Sequence, residues 1–391
     1  MKKVLIVETV LPYPPLGADD QDRFASIKLF QELGFEVSVI SKVTPHQKPE
    51  HVTAMAEALG GITIQTVPFV NQGLSWKRLN PFWLDGASYE YEDQAIQKLV
   101  ENTIVSWKPD LVWLEYSFLW PLIKIAHQHG IPAVLRTANV ESWHLLSDEG
   151  FSFARLVSAA SKFLGELRFV READAVVAVT PNEADFYRRI GGKNVYTLPS
   201  RQLSYALLDE PARVHDREML EVLLSGGTYS VAHNRDAAEF AIRKVAPLLE
   251  KVAPGAFRIH ITGAKLPKEL AETLPSNVVY EGYIKDFPAF LRTMDIAFSP
   301  SLNGAGMQLK TFDPITRGLP TVTMPRVLSG YPFAGGKDLL LVSSAQEAAD
   351  AILSLRSREL RERIGTTGRE TAQREFSKEN MLTTLRTIIS L

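Results

Sequence analysis

Residues 299–324 read SPSLNGAGMQLKTFDPITRGLPTVTM, and this stretch decides how the rest of the chain is read. The apolar run 296–299 predicts a strand ending at Ser299 and Pro300. A loop with Gly304 and Gly306 follows, then a helical turn or two over 310–317 closed by Gly318, then a strand over 321–323. Lys310 and Asp313 stand three apart and so share one face of the short helix. Such parts build a diphosphate site. Glycines let the ligand approach the backbone, helix N-terminal N–H groups meet the anion, and a lysine supplies a point charge. A carboxylate one turn on can accept hydroxyl hydrogen bonds from a ribose. The same pattern also fits a plain strand–loop–helix with a solvated Lys and Asp, because glycine-bearing turns of this kind are common.

Outward from this stretch, short apolar runs alternate with helical periods. In the first half, strands are expected over 4–10, 35–40, 62–67, 111–115, 133–136, 175–179 and 195–198, and helices over 19–33, 89–107, 119–129 and 153–171. Thr180 and Asn182 stand where a helix cap belongs. A second set of strands covers 222–225, 257–261, 278–280, 296–299, 321–323 and 339–342, with helices over 234–252, 286–294 and 310–317 and a helical tail from 345. Strands alternating with helices mean βαβ units and parallel sheets covered on both faces. The expected fold is α/β: two Rossmann-like doubly wound domains, 1–200 and 201–376, facing each other across a cleft, with 199–216 as the linker. Ligands should bind at the carboxyl ends of the strands, in that cleft. By pattern alone, a two-domain dehydrogenase or a periplasmic-type binding protein would read the same way.

Composition narrows the classes. A chain of 391 residues exceeds one ordinary core. A net charge of −2 gives no electrostatic case for nucleic acid. No cysteine is present, which removes disulfides, zinc–thiolate sites and a thiol nucleophile, and suits a reducing compartment. The run 4–7 is too short for a signal peptide, and no stretch approaches the roughly 18 apolar residues of a membrane span. The expected location is the cytoplasm. A dinucleotide fingerprint after the first strand and a nucleophile-elbow motif are both missing, which counts against nicotinamide and hydrolase chemistry. Asp19, Asp20 and Asp22 follow Gly17 and read as an acidic helix start that favours the dipole rather than a metal cluster. The histidines are scattered, so no metal site is expected.

The ordered motifs resemble those of the family 4 retaining glycosyltransferases, of the GT-B fold. Lys310 matches the lysine of that family's C-terminal core, and Gly318 and Pro320 match its G-x-P. LSGGTYSVAHN, residues 224–234, is similar to its F-x-G-x-x-Y-x-P-N segment. Gly263 resembles the glycine of its V-x-G, and Gly282-Tyr283 with Asp286 its G-x-V-x-D turn. Gly368-Arg369 and Glu375-Phe376-Ser377 resemble its terminal element. In the first half, residues 12–17 with Arg23, Asn139-Val140-Glu141, and Ala173-Asp174 with 176–180 look like its opening, its H-N-V-E and its A-D-x-V segments. Two departures stand out. Ala305 replaces the first acid of the family's carboxylate pair, with Asp313 in the second place, and Ala138 replaces its histidine.

The resemblance implies a metal-independent enzyme, without cofactor, of the hexosyltransferase type. It would move a sugar, with retention, from a nucleoside-diphosphate sugar to an acceptor hydroxyl in cell-surface glycan or glycolipid synthesis. Lys310 would balance charge on the leaving diphosphate and Asp313 would hold the ribose. Gly17, Gly226, Gly227, Thr228, Tyr229, Asn234, Gly263, Tyr283, Asn303, Gly304, Gly306 and Met307 would line the donor. Glu115, Asn139 and Glu141 are acceptor-side candidates, although Glu115 and Glu141 equally fit a helix cap or a salt bridge. The helix over 377–391 would pack back on the N-terminal domain with an apolar stripe at Met381, Leu382, Leu385, Ile388 and Ile389. The two missing side chains motivate an alternative, a catalytically silent nucleotide-sugar-binding subunit. The acceptor would be a glycan or a lipid-linked one. Trp76, Lys77, Arg78, Phe82 and Trp83 around Pro81 either touch a membrane surface, placing the protein peripherally at its inner face, or fill the core beneath a loop.

Overall fold

The computed structural model describes residues 1–70, 88, 93–149, 152–302 and 306–390. The loop from Trp76 to Trp83 and the residues Asn303, Gly304 and Ala305 lie outside them. The chain divides into two compact units, Met1–Gln202 with Met381–Leu391, and Leu203–Asn380.

The first unit runs β1 (Lys3–Glu8), α1 (Ala18–Glu32), β2 (Glu36–Val43), α2 (Pro49–Ala58), β3 (Thr63–Pro68), α3 (Gln94–Trp107), β4 (Leu111–Glu115), α4 (Ile123–Gln128), β5 (Ala133–Arg136), α5 (Glu141–Glu149), α6 (Phe153–Glu172), β6 (Ala175–Ala178), α7 (Pro181–Arg189) and β7 (Val195–Thr197). Among the described residues its strands form a parallel sheet in the order β3-β2-β1-β4-β5-β6-β7. The central strands are continuous apolar runs because both faces are covered: Val4 to Val7 and Leu111 to Leu114 are buried. Leu5, Val7, Val112, Leu114 and Leu135 pack with Phe169 of α6 and Tyr187 of α7 in one core. Thr180 caps α7 reciprocally with Glu183, the arrangement its position announces.

The second unit runs α8 (Gln202–Ala206, which starts one residue before the boundary), β8 (Leu220–Thr228), α9 (Ala232–Phe240), α10 (Ala246–Val252), β9 (Phe257–Ala264), α11 (Lys268–Ala271), β10 (Val278–Gly282), α12 (Phe287–Leu291), β11 (Ile296–Ser299), α13 (Leu309–Thr316), β12 (Thr321–Thr323), β13 (Leu340–Leu341), α14 (Ala345–Ser354) and α15 (Arg358–Phe376). Helix α16 (Lys378–Ile388) ends the chain. The sheet order is β10-β9-β8-β11-β12-β13, again parallel. Val222, Leu224, Ile259, Ile261, Ile296 and Phe298 form its core with Ile242, Val245 and Leu249. Both units are Rossmann-like.

Among the elements that differ from their sequence reading, prolines account for two. The expected helix over 234–252 is interrupted by a single π turn over Ala241–Val245 just before Pro247, which has no N–H to give to the ladder. The expected helix over 119–129 begins as a 3-10 turn, Ser117–Leu122, around Pro121. The linker reading of 199–216 misses α8, a helix too short to show a period.

Candidate active site

In both sheets the strand order reverses beside the first strand of the unit, between β1 and β4 and between β8 and β11. Loops leaving the carboxyl ends of two such strands diverge and leave a crevice for a ligand. In the second unit those loops follow Thr228 and Ser299, so the site is the ground between the end of β8 and the start of α13.

The β8 loop is built on close backbone approach. Gly263, next to last in β9, takes φ +118°, and a Cβ there would meet the Gly226 carbonyl oxygen. A Cβ on Gly226 would meet the Tyr229 hydroxyl at 2.7 Å. Tyr229 is buried and donates to the Thr262 carbonyl at 2.8 Å, so its ring is a post beneath the loop and faces the core. Tyr280 braces the same place by donating to the Gly263 carbonyl at 2.8 Å. Gly227 is exposed and Thr228 half-buried.

Asn234, in the first turn of α9, joins the two loops. Its Nδ2 donates to the Thr228 carbonyl at 3.0 Å and its Oδ1 accepts from Lys310 Nζ at 3.2 Å. Lys310 stands in the first turn of α13, which is held from below. Thr311 Oγ1 pairs with Ser299 Oγ at 2.8 Å, and Phe312 is buried among Tyr331, Phe333 and Phe376. Gly306 takes φ +72°, a backbone that glycine adopts without strain, and its carbonyl accepts from Ser329 at 3.3 Å. Met307 is half-buried beside it.

Asp313 follows one turn later. Arg317 Nε lies 3.3 Å from its carboxylate and Arg317 Nη1 lies 2.6 Å from Asp209. Burial raises the Asp313 carboxyl despite the Arg317 charge. Arg369 closes the C-terminus of α13 by donating to the Thr316 carbonyl at 2.7 Å, and reaches the Leu207 and Asp209 carbonyls as well. Tyr283, just past β10, is 63% exposed. Among the described residues no group of His, Cys, Asp or Glu is arranged to hold a metal.

The family profile described as glycosyl transferases group 1 matches residues 221–358, and that of the glycosyl transferase 4-like domain matches residues 27–199. The chain is a group 1 glycosyltransferase. Solved structures agree in fold. S. aureus TarM, in complex with fondaparinux, alpha-GlcNAc-glycerol and UDP, is 12% identical over the whole of both chains, with a TM-score of 0.73. Anabaena HepE in complex with UDP is 15% identical over the whole of both chains, with a TM-score of 0.70. Sucrose-phosphate synthase from Thermosynechococcus elongatus is 14% identical over 99% of this chain and 98% of its own, with a TM-score of 0.70. None of the curated proteins matches the sequence at a significant level.

The first unit of this glycosyltransferase places its candidates differently. Gly17 is the N-cap of α1. Glu115 ends β4 and is buried, accepting from Trp113 Nε1 at 2.8 Å and from Arg201 at 2.5 and 3.1 Å. Burial pushes its carboxyl up, but Arg201 and Arg136 outweigh that and hold it below the usual range. Arg201 also binds Asp22 through its side chain, at 3.1 and 2.8 Å, and through its backbone N–H, at 2.6 Å, while Arg136 lies 2.9 Å from the same carboxylate. These four residues form one buried ion network at the carboxyl end of β4, beside the reversal between β1 and β4. Asn139 lends its carbonyl to the Tyr187 hydroxyl at 3.0 Å. Glu141 starts α5, with Lys162 Nζ at 3.6 Å. The acidic start of α1 is therefore more than a dipole partner: Asp22 is a buried ion-pair residue, and Asp19 and Asp20 both grip Arg23. The spacing of Asp19 and Asp20 from Arg23 was visible in the sequence, whereas Arg201, 179 residues from Asp22, gave no local signal. Among the described residues no helix is long and apolar enough to cross a membrane.

Proposed function

We propose that this glycosyltransferase transfers a hexosyl group, with retention, from a nucleoside-diphosphate sugar to an acceptor hydroxyl, using its own side chains rather than a metal ion to balance the leaving group. The observation that carries the reading is the contact between Lys310 and Asn234 across the sheet reversal of the second unit. Asn234 fixes the Lys310 ammonium at the end of β8, and the backbone N–H groups at Gly306 and Met307 lead into the same helix start. When the sugar–phosphate bond breaks, negative charge grows on the diphosphate. A fixed ammonium and aligned N–H dipoles stabilise that charge more than the ground state, which is the condition for faster transfer.

Asp313, oriented by Arg317, would receive the ribose hydroxyls, and Thr228, Gly227 and the exposed Tyr283 would border the sugar and the base. Asn139 with Glu141 would meet the acceptor, a glycan or lipid-linked hydroxyl. The Glu115 carboxylate is already committed to Arg201 and Trp113, which favours a supporting role for it. UDP in the TarM and HepE structures makes uracil the first base to try. Thermal-shift titration against UDP, GDP, ADP, dTDP and CMP tests the donor class, because a ligand bound only to the native state raises its melting temperature. A stabilising nucleotide whose sugar ester is turned over supports transfer. Binding without turnover across a broad acceptor panel favours the silent subunit, and no stabilisation by any of the five removes the donor site.

A further inference from the structure

Helix α6 is apolar on two sides, and its own unit covers one of them. Ala159, Glu166, Phe169 and Val170 are buried on the side that packs inward. At about 100° per residue, the other apolar residues from Phe153 to Leu167 fall on an outward arc about 120° wide. No charged residue stands on that arc before Arg171. Phe153 is 82% exposed and Val157 43%, and Leu156, Ala160 and Phe163 are exposed as well. Exposed Trp143 of α5 extends the patch, since its ring and that of Phe163 lie 4.4 and 6.3 Å from Phe186. A helix that is apolar on both sides belongs inside a larger core, and an open stripe of this kind marks a contact site. The cations beside the arc are engaged elsewhere. Lys162 Nζ lies 3.6 Å from Glu141 and over the Phe118 ring, and Arg168 lies over Trp120. The stripe therefore matches an apolar partner better than an anionic lipid surface, which takes a helix with cations along its polar face.

We propose that this stripe is the interface of a homodimer, in which α6 packs antiparallel against α6 of a second copy with the two-fold axis at Ala160. The positions carry the inference. A two-fold axis at residue 160 of two antiparallel helices sets each residue against the one equally far beyond the axis. Phe153 then meets Leu167, Leu156 meets Leu164, Val157 meets Phe163, and Ala160 meets itself. Every pair is apolar, and the alanine at the axis lets the helices approach closely. Residues 153, 156, 160, 163 and 167 also keep the alternating three- and four-residue spacing of a helix-pair seam. With about 200 Å² for a whole aromatic side chain, the exposed fractions come to roughly 500 Å² a protomer and about 1,000 Å² for the pair. That is the low end of specific interfaces, the size of a reversible dimer.

The test reads association and register separately, on the full chain. Sedimentation velocity of the wild type from about 1 to 100 μM should pass from monomer to dimer. V157K puts a cation opposite Phe163 and should weaken the dimer at least about tenfold. Its melting temperature at monomer concentrations should stay at the wild-type value, because Val157 is exposed. The chain has no cysteine, so a single introduced thiol can form a disulfide only with a second copy. A160C should give a covalent dimer on oxidation, because the axis brings its two copies within disulfide reach. S158C, exposed on the flank of α6 away from the arc, should not. A wild type that stays monomeric to about 100 μM overturns the dimer. Dimerisation that V157K leaves unchanged overturns its assignment to this stripe, and cross-linking of S158C as fast as A160C overturns the register. A monomeric wild type that co-sediments with phosphatidylcholine vesicles, in a way that V157K abolishes, gives the stripe to lipid and overturns the dimer.

Discussion

On the proposed mechanism transfer turns on Lys310, and the surroundings of that residue make the role testable. It is half-buried at a helix start, while the stability of α13 rests on Phe312 and Thr311 beside it. Lys310→Ala should lower kcat about a hundredfold, on the order of 3 kcal/mol of transition-state stabilisation, with a melting temperature close to wild type. Near-normal turnover in that variant would remove Lys310 from the mechanism. Arg201 is the opposite case, a charged residue whose surroundings are structural. Removing one member of a buried ion network strands the others, at a cost of about 3–5 kcal/mol. Arg201→Met should show that loss in urea unfolding, and a loss under about 1 kcal/mol would mean that Asp22 and Glu115 find other partners. The two residues also differ in how readily sequence betrays them. Lys310 stands within a motif of contiguous residues, so its spacing to glycines, Asp313 and a following strand could be read directly. Arg201 is surrounded by nothing periodic, and its partners at 22 and 115 lie on other elements that only folding brings near.

At the level of elements, α5 shows how a buried acid sets a pH response. The Glu166 carboxylate on α6 accepts from the Ser142 N–H at 3.1 Å and the Ser142 hydroxyl at 2.6 Å, tying α6 to the first turn of α5. Burial pushes its carboxyl up to about 7 despite both bonds. Between the unfolded value of 4.5 and about 7 the native state therefore holds a proton that the unfolded chain has lost. Stability from this group is complete below the lower value, falls as pH rises through that window and is constant above it. Glu166→Gln keeps an acceptor and removes the titration. The variant should gain on wild type by up to about 3 kcal/mol between pH 5 and pH 8. A difference in melting temperature that stays flat over that range contradicts the assignment. Helix α16 carries a second prediction. Met381, Leu385 and Ile388 are buried at the i, i+4, i+7 spacing visible in the sequence. Leu385→Ala should cost about 2–5 kcal/mol, and a loss below about 1 kcal/mol would mean that the stripe is not packed as described. Strongly patterned elements such as α16, β5, β11 and β12 were legible because burial imposes the pattern. The helices α2 and α5 were not. Seven of the ten residues of α2 lie outside any apolar run, and the apolar residues of α5, Trp143, Leu145 and Leu146, are few and split by His144.

For the whole molecule, the alternation of strands and helices was enough to read two Rossmann-like halves, since parallel sheets leave few other arrangements. The charge network at the first half's strand reversal was not readable, because it depends on pairs of distant charges rather than on period. The same layout occurs twice in this chain, and from topology alone each reversal has an equal claim to a nucleotide. Yet at the first lie two carboxylates and two guanidiniums, all buried and joined in one ion-pair network, so a guest there would have to disrupt paired buried charges. Duplicated architecture therefore does not mean duplicated capacity. Titrated with UDP to saturation in a calorimeter, the protein should take up one equivalent per chain with a single affinity. A second equivalent would mean that this packed charge network is a closed door rather than a wall.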